Sequence, residues 1–320
     1  MSRWIIPLFL ASTIPGWSCK APPPSPVFNL TDQPDIPQIV GPDLVSTHLY
    51  ERDIAISPDG TEIIYTSCDY RQTVRCLVRL RWSGKSWEGP EVLPISGQWH
   101  DMEPFITYNG RKLFFASNRP LPNETEPGDY NLWYASREAD EWSSPRPLPE
   151  VVNTSGQEFF PSVASNGNLY FTATREEGPG REDIYVSRWE VGTFQPPIPL
   201  DSSINTEAFE FNAWISPAED LLIFSSFGRS DGLGGGDLYL SRTDSTGAWQ
   251  QAIHLPEGIN SDKLEYCPFL DQQRGNLYFT SDRTTPHTKR LRTIGDLEAV
   301  AHQLQNGMGN IYRISAESLP

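Results

Sequence analysis

Glu158-Phe-Phe-Pro-Ser-Val-Ala-Ser-Asn-Gly-Asn-Leu-Tyr-Phe-Thr172 decides the fold, because its order of residues recurs along the chain at a period of about fifty residues. It continues through Arg175, Asp183-Ile-Tyr-Val-Ser187, Gly192-Thr-Phe194, Pro197-Ile-Pro-Leu200 and Ile204-Asn205. The same succession begins again at Glu51, Asp101, Glu210 and Glu265. Each copy holds four short strand signals: an entry after the acid, an apolar run after a glycine, an Ile/Leu-aromatic pair after Asp or Asn, and a last segment around Pro and Leu. Four strands per repeat make the blade of an all-β propeller.

The register supports closure of a ring. A Ser or Asn stands five residues before every acid: Ser46, Ser96, Asn153, Asn205 and Asn260. Pro37–Leu44, ahead of the first pair, reads as a fourth strand with no blade of its own, and the last copy stops after its third strand near Ser315. The N-terminal strand is therefore expected to complete the final blade beside Asn310–Ile314, leaving no sheet edge free. Counting acids gives five blades, with six as the alternative. Between Arg283 and Gly309 the rhythm breaks. Ile294, Leu297, Val300, Ala301 and Leu304 fall at helical spacing, which predicts a short amphipathic helix covering an apolar patch or meeting a partner.

Ser57-Pro-Asp-Gly60, Leu169-Tyr-Phe171, Asp183-Ile-Tyr185, Asp237-Leu-Tyr239 and Glu265-Tyr-Cys-Pro268 resemble the TolB-like, WD-repeat-like propeller repeat of bacterial envelope proteins, over residues 34–320. TolB-like propellers often have six blades. The resemblance implies the fold; the matched residues build blades and do not by themselves specify a site.

The chain carries a net charge of −16, spread along its length, so it lacks the positive face that nucleic-acid binding requires. Residues 1–19, with Arg3, an apolar stretch from Trp4 to Ile14 and small residues before Cys19, read as an export signal. Gly16-Trp17-Ser18-Cys19 resembles a lipobox, with Gly16 where leucine is usual, and makes Cys19 the expected lipid attachment point; plain secretion is the alternative. Residues 20–33 are rich in proline and read as a stiff tether. No later segment reaches eighteen consecutive apolar residues. In an oxidising compartment, Cys68 and Cys76 are placed to close a disulfide across a hairpin, and Cys267 reads as a small core residue.

Propeller sites form where equivalent positions converge on the central channel. Glu51, Asp101, Glu158, Glu210 and Glu265 share one register and form the candidate binding ring, for a cation, an amine or a sugar; the structural alternative pairs each with backbone amides or with Arg119, Arg175, Arg229 or Arg283 of a neighbouring blade. A glycosidase would need two unequal carboxylates, and Asp53, Glu103 and Glu207 break the symmetry of the ring. The histidines show no zinc spacing, and the sequence contains neither a Gly-x-Ser-x-Gly elbow nor a phosphate loop. Trp87, Trp142 and Trp249 recur in register as core. Together these features point to a monomeric, cofactor-free protein, exported to the periplasm or cell surface and anchored by lipid to the outer membrane. Its propeller is read as binding an envelope protein or a glycan; a polysaccharide hydrolase or lyase and a purely structural scaffold are the alternatives.

Overall fold

The computed structural model describes residues 28–320 and is a five-bladed propeller. After β1 (Gln38–Ile39), blade one holds β2 (Tyr50–Ile56), β3 (Glu62–Cys68), β4 (Arg75–Trp82) and β5 (Trp87–Val92). Blade two holds β6 (Asp101–Ile106), β7 (Lys112–Ser117), β8 (Asn131–Glu138) with its short partner β9 (Glu141–Trp142), and β10 (Arg146–Pro147). Blade three holds β11 (Glu158–Val163), β12 (Leu169–Ala173), β13 (Asp183–Ser187), a small hairpin of β14 (Trp189–Glu190) and β15 (Thr193–Phe194), and β16 (Ile198–Pro199). Blade four holds β17 (Phe209–Ile215), β18 (Leu221–Phe227), β19 (Asp237–Arg242) and β20 (Ile253–His254). Blade five holds β21 (Glu265–Asp271), β22 (Asn276–Ser281), then helix α1 (Ile294–Ala301) and β23 (Asn310–Ser315). The five acids thus open or nearly open the five innermost strands.

Closure is as the register predicts. β1 pairs antiparallel with β23, Gln38 opposite Arg313 and Ile39 opposite Tyr312. The clamp before each acid shows why five copies make one ring. Asn153 accepts from the Leu132 amide at 2.9 Å and donates to the Leu132 and Leu148 carbonyls at 3.0 Å, tying the third strand of its blade to the fourth. Asn205 and Asn260 repeat this in blades three and four. Ser46 does the same to Ile311 of blade five, so the chain's beginning acts as the last blade's linker. Apolar layers fill the gaps between blades: Ile64 and Leu77 of blade one lie with Leu113, Phe115 and Trp133 of blade two.

The alternation of strands gives the molecule two ends. Turns between first and second strands lie at one, the turn end. The loops between second and third strands, and the linkers that carry the clamps, lie at the other, the open end. Helix α1 belongs to the open end of blade five.

Three readings change. Within the proline-rich segment, residues 28–33 lie against the propeller at the turn end: Phe28 stacks on Trp87 at 5.5 Å, and the Leu30 carbonyl accepts from Asn276 at 2.9 Å. Helix α1 covers no apolar patch, since none of its residues is buried; Ile294 is 71% and Leu297 51% exposed. Cys68 and Cys76 are unpaired thiols. Cys76 stands opposite Ser67 and Cys68 opposite Arg75, so the two side chains leave opposite faces of the sheet and cannot meet across the hairpin. Cys19 and the export signal lie outside the described residues.

Candidate functional site

The acid ring is built into the frame. Asp101, Glu158, Glu210 and Glu265 are fully buried, and each meets the arginine that follows the second strand of its own blade. Arg119 reaches Asp101 at 2.6 Å, Arg175 reaches Glu158 at 3.1 Å, Arg229 reaches Glu210 at 3.0 Å and Arg283 reaches Glu265 at 3.3 Å. The partner is in the same blade, not the next. Each guanidinium also donates to a carbonyl of the linker arriving from the preceding blade: Ile95, Val152, Ile204 and Ile259. It lies beside two aromatic rings of its own blade, as Arg229 does over Phe224 and Tyr239. Arg229 thus joins strand, linker and ring stack in one charge-assisted knot. Blade one departs from this. Asp69 stands where the others carry arginine, and Glu51 is held by the Thr47 amide and hydroxyl and by Asn310 of blade five at 3.3 Å. Burial pushes the Glu51 and Glu158 carboxyls above their ordinary range.

The channel is lined by another ring, two residues further along. Every innermost strand carries a β-bulge, seen as a register shift after Arg52, Met102, Phe159, Phe211 and Tyr266. The next residue in each case has positive φ: Asp53 at 54°, Glu103 at 61°, Phe160 at 47°, Asn212 at 52° and Cys267 at 54°. A bulge turns two consecutive side chains away from ordinary alternation, here toward the axis, at a conformational cost a side chain bears only where its surroundings hold it.

These residues join across the axis. Arg52 Nε donates to both oxygens of Asp53 at 2.9 Å, while its Nη2 donates to Glu103 at 2.8 Å and to Cys267 Sγ at 3.3 Å. Asn212 Nδ2 donates to Glu103 at 3.4 Å, its Oδ1 accepts from Cys267, and the Phe160 amide donates to the other Glu103 oxygen at 2.7 Å. All five blades therefore contribute to one cluster. Burial pushes the Glu103 carboxyl up to about 7; Arg52 opposes that shift and the neighbouring Asp53 charge adds to it. Burial also pushes the Cys267 thiol well above its usual range, which removes thiolate character.

Above the cluster, at the open end, lies a cavity of about 360 Å³ with Arg52, Met102, Phe159, Phe211 and Tyr266 in its wall, one from each bulge. Arg75, Glu182 and Phe227 form part of the rim. Arg75 donates to Tyr130 Oη at 3.1 Å and meets no carboxylate among the described residues. Aromatic side chains thus stand in the wall above a polar floor. Both central carboxylates accept from the one guanidinium of Arg52.

Of the carboxylates that break the ring's symmetry, Asp53 and Glu103 come together and Glu207 does not: it is exposed in the linker before β17. Arg52, Phe160 and Asn212 escape the sequence reading, and Cys267, read as a small core residue, is buried within the cluster. Their signal is positional, two places or one after each acid, where the residue type changes from blade to blade. Trp214 is fully buried, and Trp87 and Trp142 are core. No group of metal-ligating side chains occurs among the described residues, and none of their helices is long and apolar enough to cross a membrane.

No family model and no curated protein sequence matches the chain. Solved propellers do resemble it in structure. A putative TolB from Agrobacterium tumefaciens is 16% identical with a TM-score of 0.48, over 72% of this chain and 69% of that one. TolB from Acinetobacter baumannii is 10% identical with a TM-score of 0.43, over 83% of this chain and 54% of its own length. A GH43 endo-arabinanase from Bacillus licheniformis is 13% identical with a TM-score of 0.49, over 83% and 93%. At these identities the likeness concerns the fold.

Proposed function

We propose that this chain is an exported envelope protein, tethered through Cys19, whose propeller binds a partner protein at the open end of its channel. The observation that carries the reading is the concentration of exposed apolar side chains there. Leu49, Tyr70, Val74 and Leu233 stand on the loops and linkers of that end and Phe227 closes β18 there, around a cavity with Phe159, Phe209, Phe211 and Tyr266 in its wall and an ion-paired cluster as its floor. Exposed apolar groups gathered around a concave aromatic site mark a protein contact more often than a soluble surface left bare. The position of the N-terminal strap agrees with it. Residues 28–33 are fixed at the turn end through Asn29, Gln33 and Arg313, so a tether from Cys19 would join the propeller at the end opposite the open one.

Site-specific photocrosslinking in the native envelope tests this. A photoreactive residue at Phe227 or Val74 should yield one discrete protein adduct, and the same probe at Val191 or Ile253 should yield none. Adducts only from Val191 or Ile253, or a glycan rather than a protein at Phe227, would overturn the reading.

A further inference from the structure

The blade-five insertion is unexplained by the fold. Its base is firm: Thr285 donates to the Gln305 carbonyl at 3.0 Å, Gln305 Nε2 to Tyr312 Oη at 2.9 Å, and Asn306 Nδ2 to the His48 carbonyl at 3.1 Å. Helix α1 carries its own capping box between Thr293 and Asp296, yet it buries nothing. Helices this short rarely persist on propensity alone and ordinarily rest on a packed face. Here Ile294 and Leu297, three residues apart, present that face outward together with Leu291.

The charge of the insertion runs against that of the whole. Lys289, Arg290 and Arg292 are exposed, and among the described residues none reaches a carboxylate at ion-pair distance. Only Asp296 and Glu298 offset them in the helix, and Asp296 is spent on the cap. A chain of net charge −16 thus places three unpaired cations beside an exposed apolar helix face. A cleft of about 610 Å³ separates the cationic segment from α1.

We infer that the insertion is a docking arm for an acidic amphipathic segment of the partner protein, with partner carboxylates on Lys289, Arg290 and Arg292 and partner apolar side chains over Leu291, Ile294 and Leu297. Charge complementarity selects an acidic occupant. The arm stands at the open end, away from the strap, which favours a protein segment over a lipid surface. The inference rests on the open end being the docking end.

Fluorescence anisotropy with a labelled peptide of Glu and Leu at i, i+3, i+4 spacing tests it, beside the same peptide with Lys for Glu and vesicles of phosphatidylglycerol. The Glu peptide should bind the full chain, and added salt should weaken it as it screens exposed charges. The triple variant K289Q/R290Q/R292Q should lose about tenfold in affinity, the sum of three exposed ion pairs. Leu297→Asp should also lose affinity, and Val191→Asp, away from the open end, should not. All these positions are exposed, so unchanged melting will exclude misfolding. Equal binding by the triple variant, equal binding of the Lys peptide, or vesicle binding through the same three cations would overturn the arm. Loss of the arm with a persisting Phe227 crosslink would leave the open-end reading standing; peptide binding without that crosslink would remove the reading itself.

Discussion

Two rings lie two residues apart on the same five strands, and they behave in opposite ways. The acids Asp101, Glu158, Glu210 and Glu265 do one job four times: bind the linker, bind an arginine, disappear from solvent. The bulge residues Asp53, Glu103, Phe160, Asn212 and Cys267 share one backbone conformation but carry two carboxylates, an aromatic ring, an amide and a thiol. A scaffold must be repeated because every inter-blade seam poses the same problem. A site must be varied, because a ligand has no fivefold symmetry. Blade one belongs partly to both. Its acid lacks the arginine, and its bulge instead supplies the guanidinium that fills the axis.

The severest test of this division is Arg229→Leu. It would leave Glu210 buried without its charge partner and release the Ile204 carbonyl, so a loss of about 3–5 kcal/mol is expected in urea unfolding. A loss under about 1 kcal/mol would mean that the knot is not what joins the blades.

A sharper comparison sets blade four against blade one. Glu210→Gln keeps shape but leaves Arg229 imperfectly paired, which costs about 1–3 kcal/mol. Glu51→Gln should cost less, because no arginine is orphaned and burial already disfavours the charge that is removed. Equal losses would show that the guanidinium adds nothing to the seam. Added calcium should leave the melting temperature of both variants and of the parent unchanged; a calcium-dependent parent would return the acids to the role of ligands.

The ring and its closure were legible because both rest on spacing. Ser46 lies five residues before Glu51 as Asn153 lies five before Glu158, and the hydrogen bonds of Ser46 to Ile311 follow from that interval. What depended on the third dimension was not. The disulfide fails on strand register, which the hairpin between Cys68 and Cys76 does not announce. The apolar spacing of α1 reads the same whether its face is buried or bare. Glu207 looked close to the ring by number, yet an acid three residues before Glu210 falls on the linker. The bulges were hidden most completely: period-two alternation is how a strand is read, and the channel residues are those that break it.

The last test is confined to the channel and is read as a slope. The folded Glu103 carboxyl titrates at about 7, above the 4.5 of an unperturbed glutamate, chiefly because burial disfavours its charge. A raised carboxyl keeps its proton in the folded state where the unfolded chain has lost it. Its contribution to stability is therefore complete below about 4.5 and declines as pH rises through about 7. Glu103→Gln removes the titration while retaining an oxygen that can accept from the Phe160 amide. At pH near 5, where folded Glu103 is protonated, parent and variant should unfold at similar urea concentrations. Toward pH 8 the parent should lose stability that the variant keeps, so the two curves diverge with the variant above. Glu210→Gln, in the scaffold ring, should not produce that divergence over the same range. Parallel curves for parent and Glu103→Gln would mean that the axis holds Glu103 ionised against Arg52 throughout, and that the floor of the cavity carries a fixed charge.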